Sequence, residues 1–168
     1  MTPAAWLTEH AHLLPPRGTA LDVACGRGRH ALWLAERGLS VVALDRDADA
    51  IRDLQAQATA RGLPIAAAVR DLESGSPSLG TEAFDTIVVV HYLHRRLFAS
   101  LLDALLPGGL LIYETFTRAQ ARRGKPTNPD FLLEEGELRR LVQPLEVIDW
   151  REGAFEERDV ASIVARRR

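Results

Sequence analysis

The sequence holds one cysteine, Cys25. A lone thiol excludes an internal disulfide framework and any zinc site built from clustered thiolates. A reducing compartment is expected, a bacterial-type cytoplasm by default. No apolar run approaches the roughly 18 residues needed to cross a bilayer, so no membrane partner is expected. The first residues lack a leading positive charge and a long apolar stretch, which predicts no secretory signal. Basic charge is not in excess either: 21 Lys and Arg stand against 23 Asp and Glu, a net charge of −2. That balance argues against a whole-domain basic surface for nucleic acid and leaves only a local patch open. Repeats and low-complexity segments are missing.

What remains is a globular composition: 46% hydrophobic and 26% charged residues over 168 positions. This length fits one domain, expected over residues 1–168, with a helical extension at 1–17. Beyond that extension two periodicities alternate. Short apolar runs at 19–24, 40–44, 65–69, 84–90 and 110–114 read as strands. Segments 29–37, 47–61 and 95–106 read as helices between them, each closed by glycine or by Pro107-Gly108-Gly109. The run at 84–90 is β-branched and apolar on both faces, as in a strand covered on both sides. A further helix is expected at 134–142, and two closing strands at 145–150 and 160–164. Their short connection, 152–159, favours a hairpin and hence one antiparallel strand. The predicted class is α/β: a doubly wound, seven-stranded, mostly parallel sheet with one antiparallel strand and helices on both faces.

In such sheets ligands bind beyond the carboxyl ends of the strands. The first strand-to-helix turn reads Cys25-Gly26-Arg27-Gly28-Arg29-His30. Its glycines allow a tight turn and a close backbone approach, and the next helix offers free N–H groups. Asp45 ends the second strand, where a carboxylate can accept both hydroxyls of a ribose. A nucleoside-containing cofactor is the implication. The glycine pattern alone also satisfies a loose dinucleotide fingerprint, so NAD(P) competes. Asp22 separates the two. An acid in the first strand repels a pyrophosphate and favours an ammonium or sulfonium group. S-adenosylmethionine carries both, together with a ribose.

At this point the sequence resembles the class I S-adenosylmethionine-dependent methyltransferases, whose fold is Rossmann-like. The stretches that carry the resemblance are Leu21-Asp-Val-Ala-Cys-Gly-Arg-Gly-Arg-His30, Val41-Val-Ala-Leu-Asp45, Phe84-Asp-Thr-Ile-Val88 and Leu106-Pro-Gly-Gly-Leu110. The Gly-Arg-Gly-Arg-His-Ala form is most similar to small bacterial enzymes of tellurite-resistance or generic type. Ala24 stands where the family often has glycine. The resemblance implies that Asp22, Ala24, Gly26 and Gly28 line the methionine part of the cofactor. It implies Asp45 at the ribose, Arg46 beside the adenine, Asp71 and Leu72 at the adenine amine and ring, and His91 near the transferring methyl.

Other side chains are weighed on their own. His91 and Glu114 are the candidate general bases, and a packed or cofactor-contacting His91 is the competing reading. Tyr92 and Tyr113 follow adjacent strands and are candidate substrate contacts. His91 and His94 lack a third ligand, so no metal is expected. His10 and His12 are expected in solvent, and Cys25 in packing. The loop 117–130 is long enough for a lid. Within it Arg118, Arg122, Arg123 and Lys125 have no acid among them, which keeps an RNA or protein acceptor open. The chain lacks an Asn/Asp-Pro-Pro-Tyr/Phe stretch after the fourth strand and any large insertion. Both features favour a small-molecule acceptor: a thiol, chalcogen oxyanion, amine or hydroxyl. A nicotinamide oxidoreductase or a non-catalytic cofactor-binding module is the remaining alternative.

Overall fold

Five parallel strands form where the sequence places its short apolar runs, as seen in a computed structural model that describes residues 1–168. They are β1 (Gly18–Val23), β2 (Leu39–Asp45), β3 (Ile65–Val69), β4 (Phe84–Val90) and β5 (Leu105–Phe116). With β6 (Glu146–Phe155) and β7 (Arg158–Arg166) they make one sheet in the order β3-β2-β1-β4-β5-β7-β6. β7 lies antiparallel to both β5 and β6, so the reversed strand sits one place in from the edge. Strand β4 buries Ile87 and Val89 in one core and Val88 in the other, each 0% exposed. Its two apolar faces thus reflect cover on both sides of the sheet.

The helices are α1 (Ala5–Glu9), α2 (Arg29–Glu36), α3 (Ala48–Arg61), α4 (Phe98–Ala104) and α5 (Glu137–Leu141). α3 begins where expected because the Asp47 side chain accepts the Asp49 and Ala50 N–H groups. It ends at Gly62, which is left-handed. No helix is long and apolar enough to cross a membrane.

Several expected boundaries move. The N-terminal helix stops at Glu9 and continues as a 3-10 turn, Ala11–Leu13. His10, expected in solvent, is buried there, with Nδ1 2.7 Å from the Trp6 carbonyl oxygen and Nε2 2.8 Å from Asp149 Oδ2. The segment at 95–106 opens as a 3-10 turn, Arg95–Leu97, before α4. Pro107-Gly108-Gly109 does not separate helix from strand, because β5 starts at Leu105 and carries the glycines as an irregularity. A Cβ at Gly109 would lie 2.8 Å from the Leu106 carbonyl oxygen, so only glycine lets the backbone cross there. α5 starts three residues later than expected, after left-handed Gly136. β6 and β7 run on until only Glu156 and Glu157 separate them, both with positive φ, the geometry of a two-residue hairpin turn.

Candidate functional site

The strand order reverses between β1 and β4, which opens a crevice above their carboxyl ends. The chain leaves β1 through a turn with three left-handed residues: Ala24 (φ 54°), Gly26 (55°) and Gly28 (86°). At Ala24 this conformation costs a residue with a side chain roughly 1–2 kcal/mol. That cost is a physical reason for glycine to be common at such a position. A Cβ at Gly28 would lie 2.4 Å from Leu54 Cδ1, so this glycine lets α3 pack against the turn.

Two carboxylates brace the turn. Asp45 Oδ2 accepts the Gly26 N–H at 2.8 Å, and its Oδ1 accepts the Asp47 N–H at 2.9 Å. Asp22 is 1% exposed, and its Oδ2 accepts the Ala31 N–H in the first turn of α2 at 3.0 Å. Burial pushes the Asp22 carboxyl up to about 7, against the opposing Ala31 N–H and the Arg29 charge. Arg27 pairs with Asp53 of α3 and not with Asp22.

Beyond the turn lies a cavity of about 320 Å³. Ala24 forms its floor beside Asp45, Arg46, Asp71 and Leu72; the loops after β2 and β3 add Arg70 and Glu73. Asp71 Oδ1 accepts the Glu73 N–H at 2.9 Å, which fixes that bend. His91, Tyr92 and Leu93 enter from the end of β4, Thr115 and Phe116 from the end of β5. Pro126 and Phe131 close it from the loop that follows.

Most of the expected site residues therefore meet in one place: Ala24, Asp45, Arg46, Asp71, Leu72, His91 and Tyr92. Asp22 and Gly28 do not line it: Asp22 is buried behind the turn, and Gly28 is buried within it against Leu54. Gly26 contributes its N–H to Asp45 and is not among the lining residues. Two expectations are corrected. Tyr113 is 1% exposed, stacks on Phe98 and donates its hydroxyl to the Tyr92 carbonyl at 2.6 Å, so it is not a substrate contact. Glu114 faces β7, where it accepts the Ser162 hydroxyl at 2.5 Å and meets Arg151 at 3.5 Å. It does not reach the cavity and is not a base there. Both errors have one origin. β5 continues two residues past the expected end, so Thr115 and Phe116 take the place at the rim. Those two, with Arg70, Glu73, Leu93, Pro126 and Phe131, were missed by sequence reasoning, and the aromatic Phe116 just past the strand was the one available signal.

His91 takes a left-handed backbone (φ 57°), and its N–H donates to the Glu114 carbonyl at 2.8 Å. The ring stacks on Phe116 at 4.6 Å, and its buried Nε2 has no partner. Burial, helped by the Arg158 and Arg29 charges, lowers the imidazole from 6.5 to about 4, so it is neutral at pH 7. His94 turns to Glu73, with Nδ1 3.6 Å from Oε1; Arg46 approaches the other oxygen of Glu73 at 3.9 Å. In the basic loop Arg118 pairs with Glu134 at 3.1 Å, and Arg123 pairs with Asp159.

A family model described as a methyltransferase domain matches residues 20–109, more than half of the chain. The chain belongs to that family. The matched segment runs from β1 through the glycines of β5 and includes both carboxylates that brace the turn. The chain is similar in sequence to "Ribosomal RNA small subunit methyltransferase H" of Synechococcus sp. (strain JA-3-3Ab), 48% identical over 56 residues. It is also similar to "Putative methyltransferase YqeM" of Bacillus subtilis (strain 168), 29% identical over 110 residues. These matches cover 32% and 60% of this chain but only 18% and 43% of the relatives, so it spans less than half of either. Its fold is that of TehB from Haemophilus influenzae, with a TM-score of 0.84 at 20% identity, over 99% of this chain and 63% of the other. Family and fold bear out the resemblance read from the four motifs, and the donor of that class is S-adenosylmethionine.

Proposed function

We propose that this protein transfers a methyl group from S-adenosylmethionine to a small-molecule acceptor. One observation carries the reading: Asp45 lines the cavity with each carboxylate oxygen holding a single backbone N–H. A carboxylate oxygen has two lone pairs, so both retain capacity for a ribose diol. Asp45 suits the ribose of either nucleoside cofactor, and it is Asp22, in the first strand, that disfavours a pyrophosphate and hence a nicotinamide cofactor. Arg46, Asp71 and Leu72 stand on the same side of the cavity and suit the adenine, Leu72 as an apolar face and Asp71 as an acceptor for an amine. Asp22, behind the turn, acts through the backbone it holds and, where ionised, adds negative potential toward the amino-acid tail. Ala24 and His91 border the methionine end. The unpartnered Nε2 of His91 is a buried polar atom that a ligand would satisfy, so the residues fit the donor.

When bound, the sulfonium supplies an electrophilic methyl and a good leaving group. The chain's contribution is then mainly placement, which can supply roughly 7–11 kcal/mol through proximity and orientation. Neutral His91 can hydrogen-bond an acceptor atom through Nε2. With an imidazole near 4 it is a weak base, so its role is to orient an acceptor atom rather than to take its proton ahead of transfer. The loop at 117–131 supports a small acceptor, since Pro126 and Phe131 narrow the cavity from that side. Ion pairs at Arg118 and Arg123 reduce the free charge that an RNA reading requires. Calorimetry with S-adenosylhomocysteine and with NADP is the test. Binding of the first and not the second is expected; the reverse overturns the reading.

A further inference from the structure

The walls of the cavity differ in charge. Every ionised side chain that lines it, Asp45, Arg46, Arg70, Asp71 and Glu73, comes from the end of β2 or the loops after β2 and β3. The opposite wall is built from Tyr92, Thr115, Phe116, Pro126 and Phe131, with His91 at the boundary. None of these carries charge at pH 7. The Tyr92 hydroxyl stays protonated, pushed up to about 12 by burial and by Glu73 and Asp71. The Arg158 and Arg29 charges are felt at His91, but neither guanidinium is a lining group that could pair with a bound anion. Arg29 donates to the Thr2 carbonyl at 3.0 Å.

Phe131 has an unusual position. Its side chain borders the cavity while the residue is 48% exposed, so it is not a core residue. Its backbone is nevertheless held on both sides by one guanidinium. Arg95 donates through Nη1 to the Asp130 carbonyl at 3.1 Å and through Nη2 to the Leu132 carbonyl at 2.9 Å. The same guanidinium grips both oxygens of Glu137 in α5, at 2.6 and 2.9 Å. The Asn128 side chain caps the short turn by accepting the Asp130 N–H at 3.0 Å. Arg95 lies four residues after His91, so the segment that carries His91 and Tyr92 also fixes the ring across from them.

Resting on the methyl-transfer reading, we propose that the acceptor is an uncharged molecule with a flat apolar body, received against Phe131, and that Arg95 is the positioning residue that presents this ring. An anionic acceptor group has no cation on this wall to replace its water, and a desolvated unpaired charge is strongly disfavoured. A flat apolar body, in contrast, gains contact with Phe131, Phe116 and Tyr92.

The test uses two probes with the same ring system, 2-naphthol (neutral at pH 7) and 2-naphthoate (anionic). Their binding to the full chain saturated with S-adenosylhomocysteine is followed by probe fluorescence. The proposal expects 2-naphthol to bind at least tenfold more tightly than 2-naphthoate. Phe131→Ala should weaken 2-naphthol at least fivefold, Phe131→Leu should restore part of the loss, and S-adenosylhomocysteine affinity should not change. Arg95→Lys keeps the charge but not the fork, and should weaken 2-naphthol with the melting temperature checked in parallel. Equal or tighter binding of 2-naphthoate, no binding of either probe, or an unchanged 2-naphthol affinity in Phe131→Ala overturns the proposal. Failure of S-adenosylhomocysteine to bind the unsubstituted chain instead overturns the methyl-transfer reading, and is seen before any probe is added.

Discussion

Asp45 Oδ2 accepts the Gly26 N–H at 2.8 Å, so the end of β2 is bonded directly to the turn that follows β1. The carboxylate therefore shapes the turn and faces the cavity at once. Asp45→Ala should weaken S-adenosylhomocysteine binding by more than tenfold in calorimetry. Asp45→Asn keeps one carbonyl oxygen for Gly26 but turns an amide toward a partner of the other oxygen, and should fall between the two. Unchanged affinity in the alanine variant contradicts the proposed ribose site.

Asp22 carries a second expectation, in stability. Its carboxyl rises from an ordinary 3.8 to about 7, so between those values the folded chain holds a proton that the unfolded chain has lost. This group's contribution is thus fully present below pH 4 and is lost as pH rises through 7. Asp22→Asn removes the charge but keeps an oxygen for the Ala31 N–H. At pH 8 it should be more stable than the parent chain, on the order of 2 kcal/mol in urea denaturation, and the advantage should vanish near pH 4. Donor affinity should drop in the same variant, because the negative potential behind the turn is gone. An asparagine variant less stable at pH 8 than the parent contradicts the buried charge.

His91 gives a prediction about pH profiles. A neutral imidazole near 4 does not titrate in the physiological range. If His91 assists the acceptor, kcat/KM should show no inflection near 6.5 that belongs to this residue; its own inflection should lie near 4. Comparing the profile of His91→Asn with that of the parent chain isolates the group, and asparagine tolerates the left-handed backbone at this position. An inflection near 6.5 that disappears in the variant contradicts the assignment.

The wall of the cavity that holds Asp45 was legible because its signals are local. Asp47 is a helix cap three residues before Ala50, which left Asp45 free for another role. The run at 84–90 is apolar on both faces, so β4 had to lie inside the sheet. The wall that holds Phe116 and Phe131 was not legible because its signals are distant. β5 extends to Phe116 by pairing with Val160, a partner more than forty residues away. Phe131 reaches the cavity through a guanidinium from residue 95 and a carboxylate from residue 137. The hairpin itself was expected from the short connection at 152–159, but its turn residues Glu156 and Glu157 adopt positive φ without glycine or asparagine, so the turn's position and the strand ends beside it were not announced.

The packing behind the glycine turn can be tested apart from ligand binding. Gly28 has φ 86°, and a Cβ there would lie 2.4 and 2.7 Å from the two methyl carbons of Leu54. Gly28→Ala combines a left-handed alanine with overpacking and should cost about 2–4 kcal/mol in chemical denaturation. Leu54 is 0% exposed, so Leu54→Ala alone should also be destabilising, by about 2–5 kcal/mol. In the double variant the new methyl occupies space vacated by leucine. The two losses should then sum to more than the double variant shows, by at least 1 kcal/mol. Strict additivity would mean that Leu54 already swings clear of the added methyl. The cost at Gly28 would then be backbone strain alone, and this contact would not be the reason for glycine at position 28.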